Sequence, residues 1–479
     1  MQLSINDLTL IIKFENNIEE KLIKKFITFR DTSACFFGGS FHAERAKDVC
    51  FGKDVKGYFV CYAGFAREIM VFAKQNNIPI TSFEDKRTHF DFQKKEWSYD
   101  ELKKFYGKHD YEEHQIRSLA AMIKTNTGIV VAPTSAGKST IMAAYIKLIN
   151  MPVLIIVNKV LLGIQLRNDF IENGIDCGIC SGKGFEQGEC MVSTIQSVYK
   201  IGDLDRFQCV LFDECHNVSA GTFQDFLKQF GCPLKFGFSA SPSRDGDYLG
   251  YAKIRQFLGS PITKIESEEL IKNNVMAKPH IYLVENKCTK SVAMENGAVL
   301  ESHGEYADYA TAYHEEIING EKRNNNIKKI CEKYGGGVLI VVNIVDHGLI
   351  LENMLSNSKF ISGETPLDER MDAIKKFDNG EIPYLIGSTI LQEGISITHM
   401  KAMVLACGGK SNVAVLQKIG RSLRYKQGEK TDVDFYDFID NAEFLLKHSK
   451  RRVTLYKKAG YNDMKLLDEE LKLIDKKNR

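Results

Sequence analysis

Between residues 108 and 440 the chain repeats one pattern: a short apolar run, a turn, then a longer amphipathic stretch. The apolar runs fall at 128–132, 153–157, 190–193, 209–213, 235–239, 337–342, 359–361, 384–387 and 402–405. Runs of this length without polar alternation predict strands of parallel sheets covered on both faces by helices. A segment this long exceeds what one sheet core holds, so an α/β fold with two sheets in tandem is expected. The polar stretch at 266–279, closing on Pro279, marks the expected break between domains at 109–265 and 280–440.

Residues 1–100 follow a different rhythm. Apolar runs at 8–14, 35–41 and 57–62 precede one helical stretch at 66–76, which predicts a small α+β accessory domain. The segment from 85 to about 108, with the single tryptophan Trp97, reads as a charged linker. After residue 441 the pattern is helical, with a basic cluster at Lys447, Lys450, Arg451 and Arg452.

Lys and Arg total 64 against 62 Asp and Glu, a formal net charge of +2. A uniformly basic nucleic-acid coat is excluded, and any such binding must use local patches. The first residues lack a basic leader with a small-residue cleavage site, and no apolar run is long enough to cross a bilayer. Twelve cysteines in such a chain point to reduced thiols in a cytoplasmic compartment. Cys177 and Cys180 have zinc-ligand spacing, but no second pair completes four ligands, so buried strand cysteines are the better account.

The chemistry begins at 132–139, APTSAGKS, directly after one apolar run and before a helical stretch. A loop placed there aims backbone N–H groups and a helix N-terminus at a polyphosphate. Lys138 adds a point charge for the phosphates, and Ser139 a hydroxyl ligand for Mg²⁺. Ala132 departs from the usual first glycine; a second Gly-Lys-Ser, at 409–411, has Val404 at that position. At 210–216, VLFDECH, a buried strand ends in Asp213 and Glu214: one carboxylate for the metal, one to activate water. Downstream, Arg421 and Arg424 share a helix face in QKIGRSLR and are candidates for transition-state arginine fingers acting from the second domain.

In this order the motifs resemble those of superfamily 2 helicases and translocases, over residues 108–440. The resemblance implies two RecA-like parallel-sheet domains, ATP and Mg²⁺ as cofactors, and DNA as partner. It places Gln115 of YEEHQIR at the adenine base. Thr134, Ser135, Ala136, Gly137, Lys138, Ser139 and Thr140 hold the nucleotide, and Gln417 senses the γ-phosphate. His216, Ser239 and Ser241 couple nucleotide state to DNA; Thr194, Gln196, Ser388 and Thr389 contact the tracking strand. Motif V, GSTILQEGIS at 387–396, has Ser396 where many relatives carry an aspartate. DECH with GFSASPSR and the tail HSKRRVTLYKKAGY are most similar to phage UvsW-type recombination and repair helicases. That likeness implies a monomer that binds single-stranded, forked or four-way-junction DNA, translocates on one strand with 3′-to-5′ polarity and unwinds or branch-migrates forks and junctions, alongside other replication or recombination proteins. A double-stranded DNA translocase without strand separation and an RNA helicase remain open as alternatives.

Overall fold

The computed structural model describes the chain except residues 33–35, 38–39, 42–45, 108–111, 134–135, 183, 244–246, 274, 276–278, 291, 296–297, 303–305, 388–399, 410–431, 459–460 and 475–479. The chain compacts into two units, Met1–Glu266 and Ser267–Arg479.

The main sheet of the first unit runs, in spatial order, 184–186, 177–181, 190–194, 153–157, 209–213, 234–239, 127–131 and 261–264. Its pairs are parallel apart from the antiparallel edge strand Gly184–Glu186. Every residue of Val153–Val157 is buried, as a strand covered on both faces requires. The strand Cys177–Ser181 carries both cysteines of the C-x-x-C pair in buried positions. Its glycine and serine break the apolar run, which is why it does not stand out in the sequence.

The accessory segment is an α+β layer. Its mixed sheet runs 52–55, 58–62, 9–13, 2–5 and 82–85, with helices Asn17–Phe26 and Ala66–Gln75. Asn16 caps the first helix, its Oδ1 accepting from the N–H groups of Ile18 and Glu19. Leu3, Ile12, Phe59 and Ile69 form its core, and Ala252 of the main-sheet layer packs into the same cluster. The join is polar as well as apolar. Lys235, buried on the strand Leu234–Ser239, donates to the Asp7 carbonyl at 2.6 Å. Arg255 pairs with Glu68, whose other oxygen accepts from the Ser260 hydroxyl at 2.6 Å. Residues 85–107 are no bare linker. Short helices Asp91–Lys94 and Tyr99–Lys103 bury Leu102 and Tyr106, and Trp97 Nε1 donates to the Phe92 carbonyl at 2.8 Å.

The second unit is built on a seven-stranded parallel sheet in the order 358–361, 384–387, 338–341, 402–405, 434–440, 280–286 and 464–467. The segment after 441 is therefore not helical throughout: Glu443–Lys458 is a helix, and Met464–Leu467 adds an edge strand beside His280–Asn286. The strand Asp434–Asp440, DFYDFID, hides its nature behind three aspartates, two of which, Asp437 and Asp440, are fully buried. Arg452 binds Asp437 through both oxygens, at 2.9 and 3.1 Å, and Tyr456 donates to the same carboxylate at 2.6 Å. Arg323 pairs with Asp440 and donates to the Ala406 carbonyl at 3.0 and 3.1 Å. Arg452 thus leaves the expected basic cluster: it is 1% exposed, whereas Lys447, Lys450 and Arg451 face solvent.

Candidate nucleotide site

The strand Thr127–Val131 delivers the chain to Ala132, whose N–H donates to the Ser239 carbonyl at 3.0 Å. Ala132 thereby continues the sheet with its methyl fully buried, which accounts for an alanine where a glycine is usual. The loop ends at Gly137, in the left-handed region with φ of 73°, immediately before the helix Lys138–Ile149. The positive φ favours glycine, and a Cβ there would lie 2.2 Å from Gln115 Nε2 and displace that amide. The first N–H groups of that twelve-residue helix have no partner within it and face the loop side, where an anion is favoured.

Two strand ends complete the group. Cys209–Asp213 pairs with Val153–Val157 on one side and Leu234–Ser239 on the other. At its end Glu214 adopts a left-handed φ of 52°, unusual for a residue with a side chain, which turns its carboxylate back toward the loop. Lys138 Nζ donates to Glu214 Oε1 at 3.0 Å, with both side chains nearly buried. His216 Nδ1 lies 3.3 Å from the other oxygen of Glu214 and 3.2 Å from Ser239 Oγ. Ser239 Oγ in turn accepts from the Ser241 N–H at 3.2 Å. A continuous polar path therefore joins Lys138, Glu214, His216, Ser239 and Ser241 across three separate motifs. Burial pushes the neighbouring Cys215 thiol up to about 12, which leaves it a packing group and not a nucleophile.

Asp213 is the member of the group with an unanswered atom. Its Oδ1 is buried without a hydrogen-bond partner among the described residues, a costly arrangement that a bound cation would relieve. The half-buried Ser139 hydroxyl supplies a second hard oxygen at the start of the helix. This donor set fits Mg²⁺, which takes few protein oxygens and keeps waters and phosphates as its other ligands.

Gln115, on the helix Glu113–Ile123, is occupied at both ends of its amide. Nε2 donates to the Ala136 carbonyl at 3.2 Å, and Oε1 accepts from the Glu112 N–H at 3.3 Å. His114, which motif reading passed over, also reaches Ala136 O, at 3.0 Å. The two side chains bolt this helix to the phosphate loop. The Glu-x-x-Gln spacing at 112–115 was the available signal for the second bond of Gln115; nothing local marked His114. Thr140 is half-buried on the helix behind the loop. Thr194 ends the strand Cys190–Thr194 with its side chain buried, and Gln196 is exposed two residues later. Thr134, Ser135, Ser388, Thr389, Gln417, Arg421 and Arg424 lie outside the described residues.

Comparison with known proteins agrees with this geometry. Residues 106–244 match the family model described as type III restriction enzyme, res subunit, and residues 321–426 match the helicase conserved C-terminal domain. The ATP-dependent DNA helicase uvsW of Enterobacteria phage T4 is 28% identical over 389 residues, covering 70% of this chain and 72% of the relative. The DNA 3'-5' translocase XPB2 of Sulfurisphaera tokodaii is 22% identical over 352 residues, 67% of this chain and 80% of the relative. Among solved structures, Saccharomyces cerevisiae Dbp5 bound to RNA and ADP BeF3 superposes with a TM-score of 0.54 at 15% identity. That superposition spans 78% of this chain and 96% of the other, and shows a shared fold.

Proposed function

Since the chain belongs to the superfamily 2 helicases, we propose that it is an ATP-driven DNA helicase that tracks along one strand with 3′-to-5′ polarity and unwinds or branch-migrates forked and four-way-junction DNA. The observation that supports an active motor is the Lys138–Glu214 pair beside the orphaned Asp213 oxygen. A buried cation and a buried carboxylate hold each other here. An incoming polyphosphate competes for Lys138 and frees Glu214. Glu214 then accepts a proton from the attacking water, in reach of His216, which passes the change to Ser239 and Ser241. Ser139 and Asp213 would hold Mg²⁺, which neutralises phosphate charge when bound. Gln417, Arg421 and Arg424 are proposed to sense and stabilise the charge developing on the γ-phosphate. Thr194, Gln196, Ser388 and Thr389 are proposed to grip phosphates of the tracking strand without reading bases.

The test is ATP turnover measured with no nucleic acid, single-stranded DNA, plain duplex DNA, forks, four-way junctions and RNA, followed by strand separation on the best stimulator. Forks or junctions should stimulate most and be unwound. Stronger stimulation by RNA, or stimulation by duplex DNA with no strand separation, would replace this reading with one of the two alternatives.

A further inference from the structure

A cavity of about 320 Å³ opens where the accessory layer meets the main sheet of the first unit. Its walls come from four stretches: residues 63–70, which lead into the helix Ala66–Gln75, residues 87–94, residues 124–127 and residues 259–262. They are fixed to one another. Asn126 donates to the Thr88 carbonyl at 2.8 Å, Gln93 to Asn126 Oδ1 at 3.2 Å, and Ser260 to Glu68 at 2.6 Å. A Cβ on Gly64, another lining residue, would lie 2.2 Å from the Arg255 carbonyl, so the layers touch backbone to side-chain position.

The lining is cationic: Arg67, Arg87, Lys94 and Lys124 contribute, with the His89 imidazole beside them, and none of the lining residues is a carboxylate. Nearby acids answer only part of this charge. Asp85 holds Arg87 at 2.5 Å and His89 at 3.4 Å, Asp91 holds Lys94 at 3.1 Å, and Glu68 is committed to Arg255. Arg67 and Lys124, from two separate stretches of the lining, have no acidic partner among the described residues. Two exposed cations that line one concave space without an acidic partner among the described residues suit a phosphate dianion or two successive phosphodiesters. The cavity lies at the entry end of the strand Thr127–Val131, and the phosphate loop follows its exit end, about 17 Å away at strand rise. It is therefore a different place from the nucleotide site.

We propose that this junction is a second phosphate-binding site, taking either a free polyphosphate or the backbone of a nucleic acid that lies off the motor track. The proposal does not rest on the helicase reading, because one arm of its test needs no turnover. In full-length Lys138→Ala protein, whose phosphate loop is disabled, inorganic pyrophosphate should raise the melting temperature by about 2–4 °C near ten times its Kd. Arg67→Gln with Lys124→Gln should remove that rise, and Arg67→Lys with Lys124→Arg should keep it. In an otherwise wild-type chain, the glutamine pair should weaken binding of a labelled fork by about three- to tenfold and lower the log–log salt slope by about 1–2. DNA-independent ATPase should be unchanged. Loss of the pyrophosphate response alone identifies a free-polyphosphate site; loss of fork affinity identifies a backbone site. If the glutamine pair alters neither, the proposal is overturned.

Discussion

Glu214 is held by Lys138 on one side and His216 on the other, in a backbone conformation few residues adopt. Glu214→Gln should cut ATP hydrolysis by about 10²–10⁴-fold while leaving nucleotide affinity near that of the wild type, because the amide cannot accept the water's proton. Phosphate release under saturating ATP checks this, and turnover within tenfold of wild type contradicts it. His347 is fully buried, with Nε2 at 2.9 Å from Asn324 Oδ1 and Nδ1 without a partner among the described residues. Burial, with the Arg323 charge nearby, lowers its pKa to about 3. Between about pH 6.5, where an unfolded histidine titrates, and pH 3 the unfolded chain holds one more proton at this site. Stability is thus intact above pH 6.5 and falls on acidification, by up to about 1.4 kcal/mol per pH unit from this group. Urea midpoints at pH 7 and pH 5 should differ less in His347→Gln than in wild type. Equal differences would remove His347 as a source of acid sensitivity.

At the scale of the element, the strand Asp434–Asp440 and the helix Glu443–Lys458 are joined by a charge pair that water does not reach. Arg452→Met would leave Asp437 buried without its cation, a loss of about 3–5 kcal/mol. Adding Asp437→Asn should restore part of that, since the Tyr456 hydroxyl can still bond a neutral amide. Chemical denaturation of the single and double variants checks both statements; a double variant no more stable than Arg452→Met would show that the charge itself is not the cause. The apolar runs at 153–157, 209–213, 384–387 and 402–405 coincide with observed strands because burial on both faces leaves only β-rich apolar residues there. The strand Asp434–Asp440 was illegible for the opposite reason. Its aspartates are tolerable inside only because Arg452 reaches Asp437 from the helix that follows the strand, and Arg323 reaches Asp440 from 117 positions away.

At the scale of the molecule, the accessory layer is a structural part of the first unit as well as a candidate DNA-binding one. Removing residues 1–100 would strip Lys235 of its carbonyl acceptor and Arg255 of Glu68, and uncover Phe257, which packs against Tyr62. The truncated chain should therefore melt at least about 5 °C lower, by the usual relation of lost contacts to melting temperature. A thermal scan checks this. An unchanged melting temperature would mean that the join contributes nothing to stability. A fall would make truncation a poor probe of DNA binding and leave the Arg67 and Lys124 substitutions as the cleaner one.

The order of the phosphate loop, the acidic strand end and the serine pair could be read from the chain because each is a short local pattern at the end of a strand. So could the parallel α/β class, since two-face burial imposes its own composition on neighbouring residues. Tertiary structure alone decided which polar residues lie inside and what they do there. Arg323 and Asp440 are 117 positions apart, and Lys235 and Asp7 are 228 apart. No local pattern records such a partner, and the free energy of a buried charge depends almost entirely on having one. The same holds for Arg67 and Lys124, two ordinary surface cations in sequence that only the packing of two layers brings to a common cavity.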